Sequence, residues 1–285
     1  MSRKKLAIAV PASVISDTPH LREKTSKIGL IGRAAAVFRV DEIIVYLDNA
    51  GKGKQKKEAE LIGLLLAYLE TPQYLRKRFF KMDPRLQYAG ILPPLRTPHH
   101  PLNRKARKLK VGEYREGVTT DRTKEGMLVD IGVERPALMR ENQWALGKRL
   151  TVQVVVAGER VEVQAVNRDD VPSYWGYKVK LENCGFGRLV ENGKFDLVVA
   201  TSKIGVKFAD VTAQMGERWQ KASCTLVAFG APARGLHEIV VDEGLNLDNL
   251  GDFVVNMVPE QGTETVRTEE ALFASLAVLN VRFGW

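Results

Sequence analysis

The chain has 285 residues, 45% hydrophobic and 27% charged, with a formal charge of +9. Such a composition is ordinary for a globular protein and excludes collagenous and disordered classes, while the length suits two domains or one large one. The longest unbroken apolar run, Leu64–Leu69, has six residues, against the roughly 20 of a spanning helix, so no membrane partner is expected.

Only Leu6–Val10 separates the basic start, Met1–Lys5, from Pro11. That is too short for a signal peptide, so the chain is expected in the cytosol. Leu6–Val10 itself predicts a short buried strand. Apolar residues at Leu21, Ile28, Ile31, Ala35 and Phe38 predict a helix over Leu21–Arg39. Glu42–Leu47 is a second buried strand, Asp48–Lys57 a Gly/Lys-rich loop and Glu58–Leu69 a second helix, followed by a basic helical piece at Tyr74–Phe80. This alternation predicts a parallel sheet covered by helices.

Residues 90–101 hold four prolines and predict a stiff connector. Short Val-rich runs follow at Gly112–Val118, Met127–Val133, Arg149–Val156, Arg160–Val166 and Tyr177–Leu181, with Ala157-Gly158-Glu159 as a hairpin turn. Five short strands in about 70 residues suit a small β-barrel. After Gly187 the α/β texture returns, with buried strands at Asp196–Ala200, Thr225–Phe229 and Asp252–Met257 and a last amphipathic helix from Thr268 to Val281. The chain therefore divides into residues 1–91, an inserted barrel at 92–182, and 183–285. Cys184 and Cys224 are 40 positions apart and match no zinc spacing. His99 and His100 have no supporting ligands nearby, so no metal is expected.

The charge is concentrated. Between Tyr74 and Lys110 stand eleven basic residues against one acid, a net +10, and the rest of the chain carries −1. A localised stripe of this kind points to a polyanion, with a plain solvated surface as the bland alternative. Arg76, Lys77, Arg78, Arg104, Lys105, Arg107 and Lys108 are the candidate RNA contacts. Tyr174 and Trp175, in the densest aromatic cluster, are candidate stacking residues, with burial in the core as the alternative.

The loops after the three C-terminal strands carry the strongest local signals: Thr201-Ser202, Gly230–Gly235, and Val258–Ala271. In open α/β sheets, ligands bind beyond the carboxyl ends of the strands. Gly, Pro and Thr there offer backbone amides and carbonyls with little side-chain obstruction. Neither a Walker A pattern nor a Gly-x-Gly-x-x-Gly follows the first strand.

The run Asn256–Asn280 resembles the last motif of the SPOUT class of RNA methyltransferases, in the archaeal and eukaryotic family whose SPOUT domain carries an inserted β-barrel. Leu226–Leu236 resembles the glycine loop of that class. Ile28–Ile43 resembles its first motif, in which an arginine follows a glycine by four, here Gly29 and Arg33. The resemblance implies an α/β SPOUT domain with a mostly parallel sheet and a trefoil knot, interrupted by an oligonucleotide-binding (OB)-like barrel. It implies S-adenosylmethionine as cofactor, converted to S-adenosylhomocysteine, and RNA, rRNA or tRNA, as substrate. Usually such proteins are homodimers whose sites draw on both subunits. By match to the motifs, Thr201, Gly230, Gly235, Val258, Pro259, Gly262, Thr263, Thr265 and Val266 would line the cofactor pocket, and Arg33 would be catalytic. Relatives that act on ribose often have asparagine two positions before the first-motif glycine. Lys27 stands there, which favours methylation of a base. A non-catalytic RNA-binding or ribosome-assembly protein that kept the knot is the alternative reading.

Overall fold

The computed structural model of the chain describes residues 4–49 and 53–284. The Met1–Arg3 start and residues 50–52 of the expected Asp48–Lys57 loop lie outside the described residues. Two compact units are present, one formed by Met1–Leu69, Arg85–Pro94 and Tyr177–Trp285, the other by Glu70–Pro84 and Leu95–Gly176.

The first unit opens with β1 (Lys5–Pro11), α1 (Leu21–Val37), β2 (Glu42–Tyr46) and α2 (Gly53–Glu70), whose last residue starts the second unit. The second unit contains α3 (Arg76–Phe79), β3 (Tyr114–Thr123), β4 (Gly126–Asp130), β5 (Ala137–Met139), β6 (Arg149–Val156) and β7 (Glu162–Val166). The first resumes with β8 (Lys178–Leu181), α4 (Phe186–Asn192), β9 (Leu197–Lys207), α5 (Phe208–Lys221), β10 (Cys224–Ala228), α6 (Leu236–Val241), α7 (Leu247–Leu250), β11 (Phe253–Asn256) and α8 (Thr268–Phe283).

In the first unit six strands form one sheet in the order β11-β9-β10-β1-β2-β8, with every pairing parallel. Central strands buried on both faces must be apolar throughout, which is why β1, β2 and β10 read as unbroken hydrophobic runs. Ala9, Ile44, Tyr46, Phe186, Leu226 and Leu236 belong to its core. Helix α1 lies close because Gly32 has no side chain. A Cβ there would meet Leu69 Cδ2 at 2.6 Å and Tyr177 Oη at 2.7 Å. Two expectations change in this sheet. Tyr177–Leu181, expected in the barrel, supplies β8 at the sheet edge, and its exposed Lys178 and Lys180 protect that edge from further pairing. The strand expected to stop at Ala200 runs on to Lys207. Its partner β11 shifts register there, pairing Val254 with Ala200 and Val255 with Val206.

In the second unit β3-β4-β5-β7-β6 close into a barrel, antiparallel except for β5 with β7. Met127, Val129, Ile131, Met139, Val152 and Val163 fill it. Short Val-rich runs separated by Gly, Asp and Asn made four of its strands readable, whereas β5, only three residues long, gave too little pattern.

Candidate cofactor pocket and RNA-facing residues

A cavity of about 390 Å³ opens beyond the carboxyl ends of β9, β10 and β11. That size is within the roughly 300–1,000 Å³ of small-molecule sites. Thr201, Gly230, Gly235, Val258, Thr265 and Val266 all line it. Pro259, Gly262 and Thr263 do not. They sit on the exposed outer arc of the same segment.

Side chains fix the backbone of the pocket. Thr201 Oγ1 donates to Ala228 O (2.8 Å), binding the continuing β9 to β10. The turn after β11 starts where Asn256 Oδ1 accepts from Val258 N (3.0 Å). Gln261 Nε2 donates to Thr263 O (2.8 Å) and Glu264 O (3.0 Å), which holds the arc. Thr268 Oγ1, in the first turn of α8, donates to Gly230 O (3.1 Å) and so joins the two loops. A second anchor of the glycine loop is Tyr46, whose hydroxyl donates to Phe229 O (2.8 Å). Burial, then the charges of Asp48 and Glu243, push the Tyr46 pKa well up, so that proton stays in place. Arg267 N donates to Glu270 Oε2 (2.9 Å) in the capping box of α8.

The lining also includes Ser202, from the Thr201-Ser202 loop, and two polar residues that motif matching missed, His237 and Ser275. Ser202 Oγ and His237 Nδ1 are 3.2 Å apart. Ser275 Oγ is fully buried with no hydrogen-bond partner. A buried hydroxyl left unsatisfied is costly, and a bound ligand is one way to satisfy it. The sequence signal was present as two small residues four apart, Ala271 and Ser275, beside the Leu272, Leu276 and Leu279 stripe. Phe229, Met257, Val258 and Val266 supply an apolar wall. The donor set, apolar enclosure and orphaned hydroxyl fit a small cofactor with a flat ring and polar ends. Among the described residues, no group of three or more His, Cys, Asp or Glu side chains is gathered for a metal.

Arg33 does not line the cavity. It is on α1, where Nη1 donates to Pro94 O (3.0 Å). Lys27 is buried, with Nζ 3.0 Å from Asp17 and 3.7 Å from Glu269. It is therefore an interior charge held by acids, a role an asparagine would not fill.

In the second unit Lys77, Arg78, Arg104, Lys105, Arg107 and Lys108 are exposed and Arg76 is half-buried. Arg76 Nε donates to Thr71 O (3.0 Å), and Arg78 lies 3.5 Å from Asp130. Tyr174 and Trp175, the expected stacking pair, are instead core residues, 6% and 4% exposed. The Trp175 indole N–H donates to Glu116 Oε1 (2.6 Å).

Trp175 belongs to a buried polar network. Arg149 bridges Glu116 Oε2 (2.5 Å) and Glu70 Oε2 (2.8 Å), and Arg168 reaches Glu70 Oε1 (3.0 Å). Nε2 of both His99 (3.0 Å) and His100 (2.7 Å) meets Glu70 O. A carbonyl only accepts, so both Nε2 atoms carry protons. Burial pushes the Glu70 carboxyl up, but the His99 hydrogen bond and the charges of Arg149, His99 and Arg168 outweigh it. The net result holds Glu70 well below the usual carboxylate range.

Residues 5–279 match the family described as "Putative RNA methyltransferase". The chain belongs to this family. It is 35% identical to the 28S rRNA (uridine-N(3))-methyltransferase of Mus musculus, covering 96% of this chain and 75% of the mouse protein. The Homo sapiens protein of the same name is 34% identical, over 96% of this chain and 77% of its own. An uncharacterized protein of Halobacterium salinarum is 33% identical over 96% of this chain and 98% of its own. As an RNA methyltransferase, the protein needs a site for a methyl donor, and the cavity beyond β9–β11 has the character of one. Among the described residues no helix is long and apolar enough to cross a membrane.

Proposed function

We propose that this RNA methyltransferase uses S-adenosylmethionine to methylate N3 of a uridine in large-subunit rRNA. The reading includes a SPOUT-class domain with a trefoil knot, an OB-like barrel, and work as a homodimer in the cytosol. The observation that carries it is the cavity beyond β9, β10 and β11, where the motif residues meet an apolar wall and a buried hydroxyl without a partner. The substrate comes from the relatives, two of which are named for uridine-N(3) methylation of 28S rRNA. Lys27 in place of asparagine is in keeping with base rather than ribose chemistry.

Bound S-adenosylmethionine supplies an electrophilic methyl group. The chain's own residues have three tasks. Phe229, Met257, Val258 and Val266 enclose an aromatic ring and exclude water. Gly230 lets backbone approach closely: a Cβ there would lie 3.1 Å from both Arg234 O and Leu236 N. Ser275 Oγ and the backbone groups of the 256–266 segment provide the fixed polar contacts. The acceptor nitrogen must also lose its proton, here to solvent, which a nearby guanidinium favours by stabilising the anion. Arg33 lies outside the cavity of its own chain, so in this reading a second copy of the chain delivers it.

Calorimetric titration of the full chain with S-adenosylmethionine tests the cofactor assignment. One site per chain is expected; no binding at high micromolar ligand would overturn it and return the non-catalytic RNA-binding reading. Sedimentation equilibrium tests the dimer.

A further inference from the structure

A second cavity in the first unit, about 450 Å³, lies beyond the carboxyl ends of β1 and β2. Its walls are Ser16 and Asp17 after β1, Asp48 after β2, Gln55 and Glu58 on α2, and the Ala231–Arg234 loop after β10. That loop also lines the first cavity, so one stretch of backbone serves both. In the sheet β1 is next to β10, but the chain leaves β1 toward β2 and leaves β10 toward β11, on opposite sides. Such a reversal opens a crevice at the carboxyl ends of the two strands, the place where open α/β sheets bind ligands.

The polar groups of this cavity are of two kinds. Asp48 accepts from Ser13 N (3.1 Å), Ser13 Oγ (2.6 Å) and Gln55 Nε2 (3.0 Å). Both carboxylate oxygens of Asp17 take Lys27 Nζ, at 3.0 and 3.1 Å. These two acids are occupied in shaping the walls. Glu58 is not. Its Oε2 accepts from Ser16 Oγ (2.9 Å), while Oε1 is buried with no hydrogen-bond partner, on a residue only 5% exposed. A buried carboxylate oxygen without a donor is costly, so the site asks for an O–H or N–H from outside. Asp17, Asp48 and Glu58 outnumber the lining cation Arg234, which already pairs with Asp242, so the lining disfavours phosphate, and the acids are not gathered as a metal site among the described residues. A neutral sugar hydroxyl meets both conditions. Carboxylates commonly hold ribose through its 2′-hydroxyl, and that group distinguishes RNA from DNA.

We propose that this second cavity receives the ribose of the acceptor nucleotide, with Glu58 Oε1 accepting the hydrogen bond of its 2′-hydroxyl. The assignment to the acceptor, rather than to the methyl donor's own ribose, rests on the reading that the first cavity holds the donor. Glu58 is a specificity residue here and takes no proton from the reacting atom.

The test uses the full chain saturated with S-adenosylhomocysteine, with uridine and 2′-deoxyuridine as probes in saturation-transfer NMR. A hydrogen bond to a charged acceptor predicts that uridine binds roughly tenfold tighter than 2′-deoxyuridine. In Glu58→Ala the two should agree within about twofold, and in the isosteric Glu58→Gln, which keeps an uncharged acceptor, the preference should shrink to roughly threefold, while S-adenosylhomocysteine affinity, measured by calorimetry, stays unchanged and reports correct folding. Failure of uridine to bind, or a uridine preference undiminished in both variants, would overturn the proposal. So would a large loss of S-adenosylhomocysteine affinity in both variants, which would give the hydroxyl to the donor. A uridine preference without any S-adenosylhomocysteine binding would overturn the first-cavity reading, and with it the assignment to the acceptor.

Discussion

Replacing Glu70 by alanine removes the common partner of Arg149, Arg168 and His99 in the second unit. His99 is fully buried, and the two guanidinium groups are only about a quarter exposed. Removing one partner of a buried ion pair typically costs about 3–5 kcal/mol, because the other charge stays buried. The partial exposure of the arginines, and the second acid Glu116 still bound to Arg149, place this case near the lower end, about 3 kcal/mol. Against a typical domain stability of roughly 5–15 kcal/mol, that is a large fraction. Hydrogen exchange of the β3 and β6 amides reads it directly, since their opening reports loss of the barrel. Protection should fall by about two orders of magnitude, and Glu70→Gln, which keeps an acceptor, should lose less. Because the folded carboxyl is held below its unfolded value, its contribution is complete above the ordinary glutamate range, about pH 4.3, and disappears only as pH falls through the depressed value. A loss below about 1 kcal/mol, or no coupling between Glu70 and Arg149 in a double-mutant cycle, would refute this account of the network.

Three other outcomes are expected. Arg33→Ala should keep S-adenosylmethionine binding but abolish methyl transfer, as followed by transfer of a labelled methyl group; normal turnover would reject its role. Neutralising Arg104, Lys105, Arg107 and Lys108 should weaken RNA binding and lower the log–log salt slope by roughly 0.7 for each single-strand phosphate no longer neutralised, and an unchanged slope would leave those residues facing solvent. Burial, then the neighbouring His99, lower the His100 pKa to about 4, so the unfolded chain binds more protons between about pH 6.5 and 4 and stability falls as pH falls through that window. His100→Gln should flatten that part of the stability profile, measured by urea titration at a series of pH values.

The sheet strands were legible because parallel strands covered on both faces must be apolar, and Pro11 and Gly230 mark their ends. The pocket loops were legible because backbone-lined sites leave Gly, Pro and Thr in the sequence. Tyr177–Leu181 misled because an edge strand with lysines outward has the same alternation as a barrel strand. Trp175 misled because the partner of its buried indole N–H, Glu116, is 59 positions away. The second cavity was beyond reach for the same reason: Ser13, Asp48, Glu58 and Ala231 converge only when the sheet order is known. Ser202 already stood in the Thr201-Ser202 loop, and Ser275 could have been found as a polar residue on the buried side of α8.

One measurement bears on the central claim most directly. The full chain is incubated with S-adenosylmethionine carrying a deuterated methyl group and with rRNA from cells lacking the protein, and the RNA is digested to nucleosides for mass spectrometry. The account predicts labelled 3-methyluridine and no labelled ribose. Label in no nucleoside, or only in a ribose-methylated one, would contradict it.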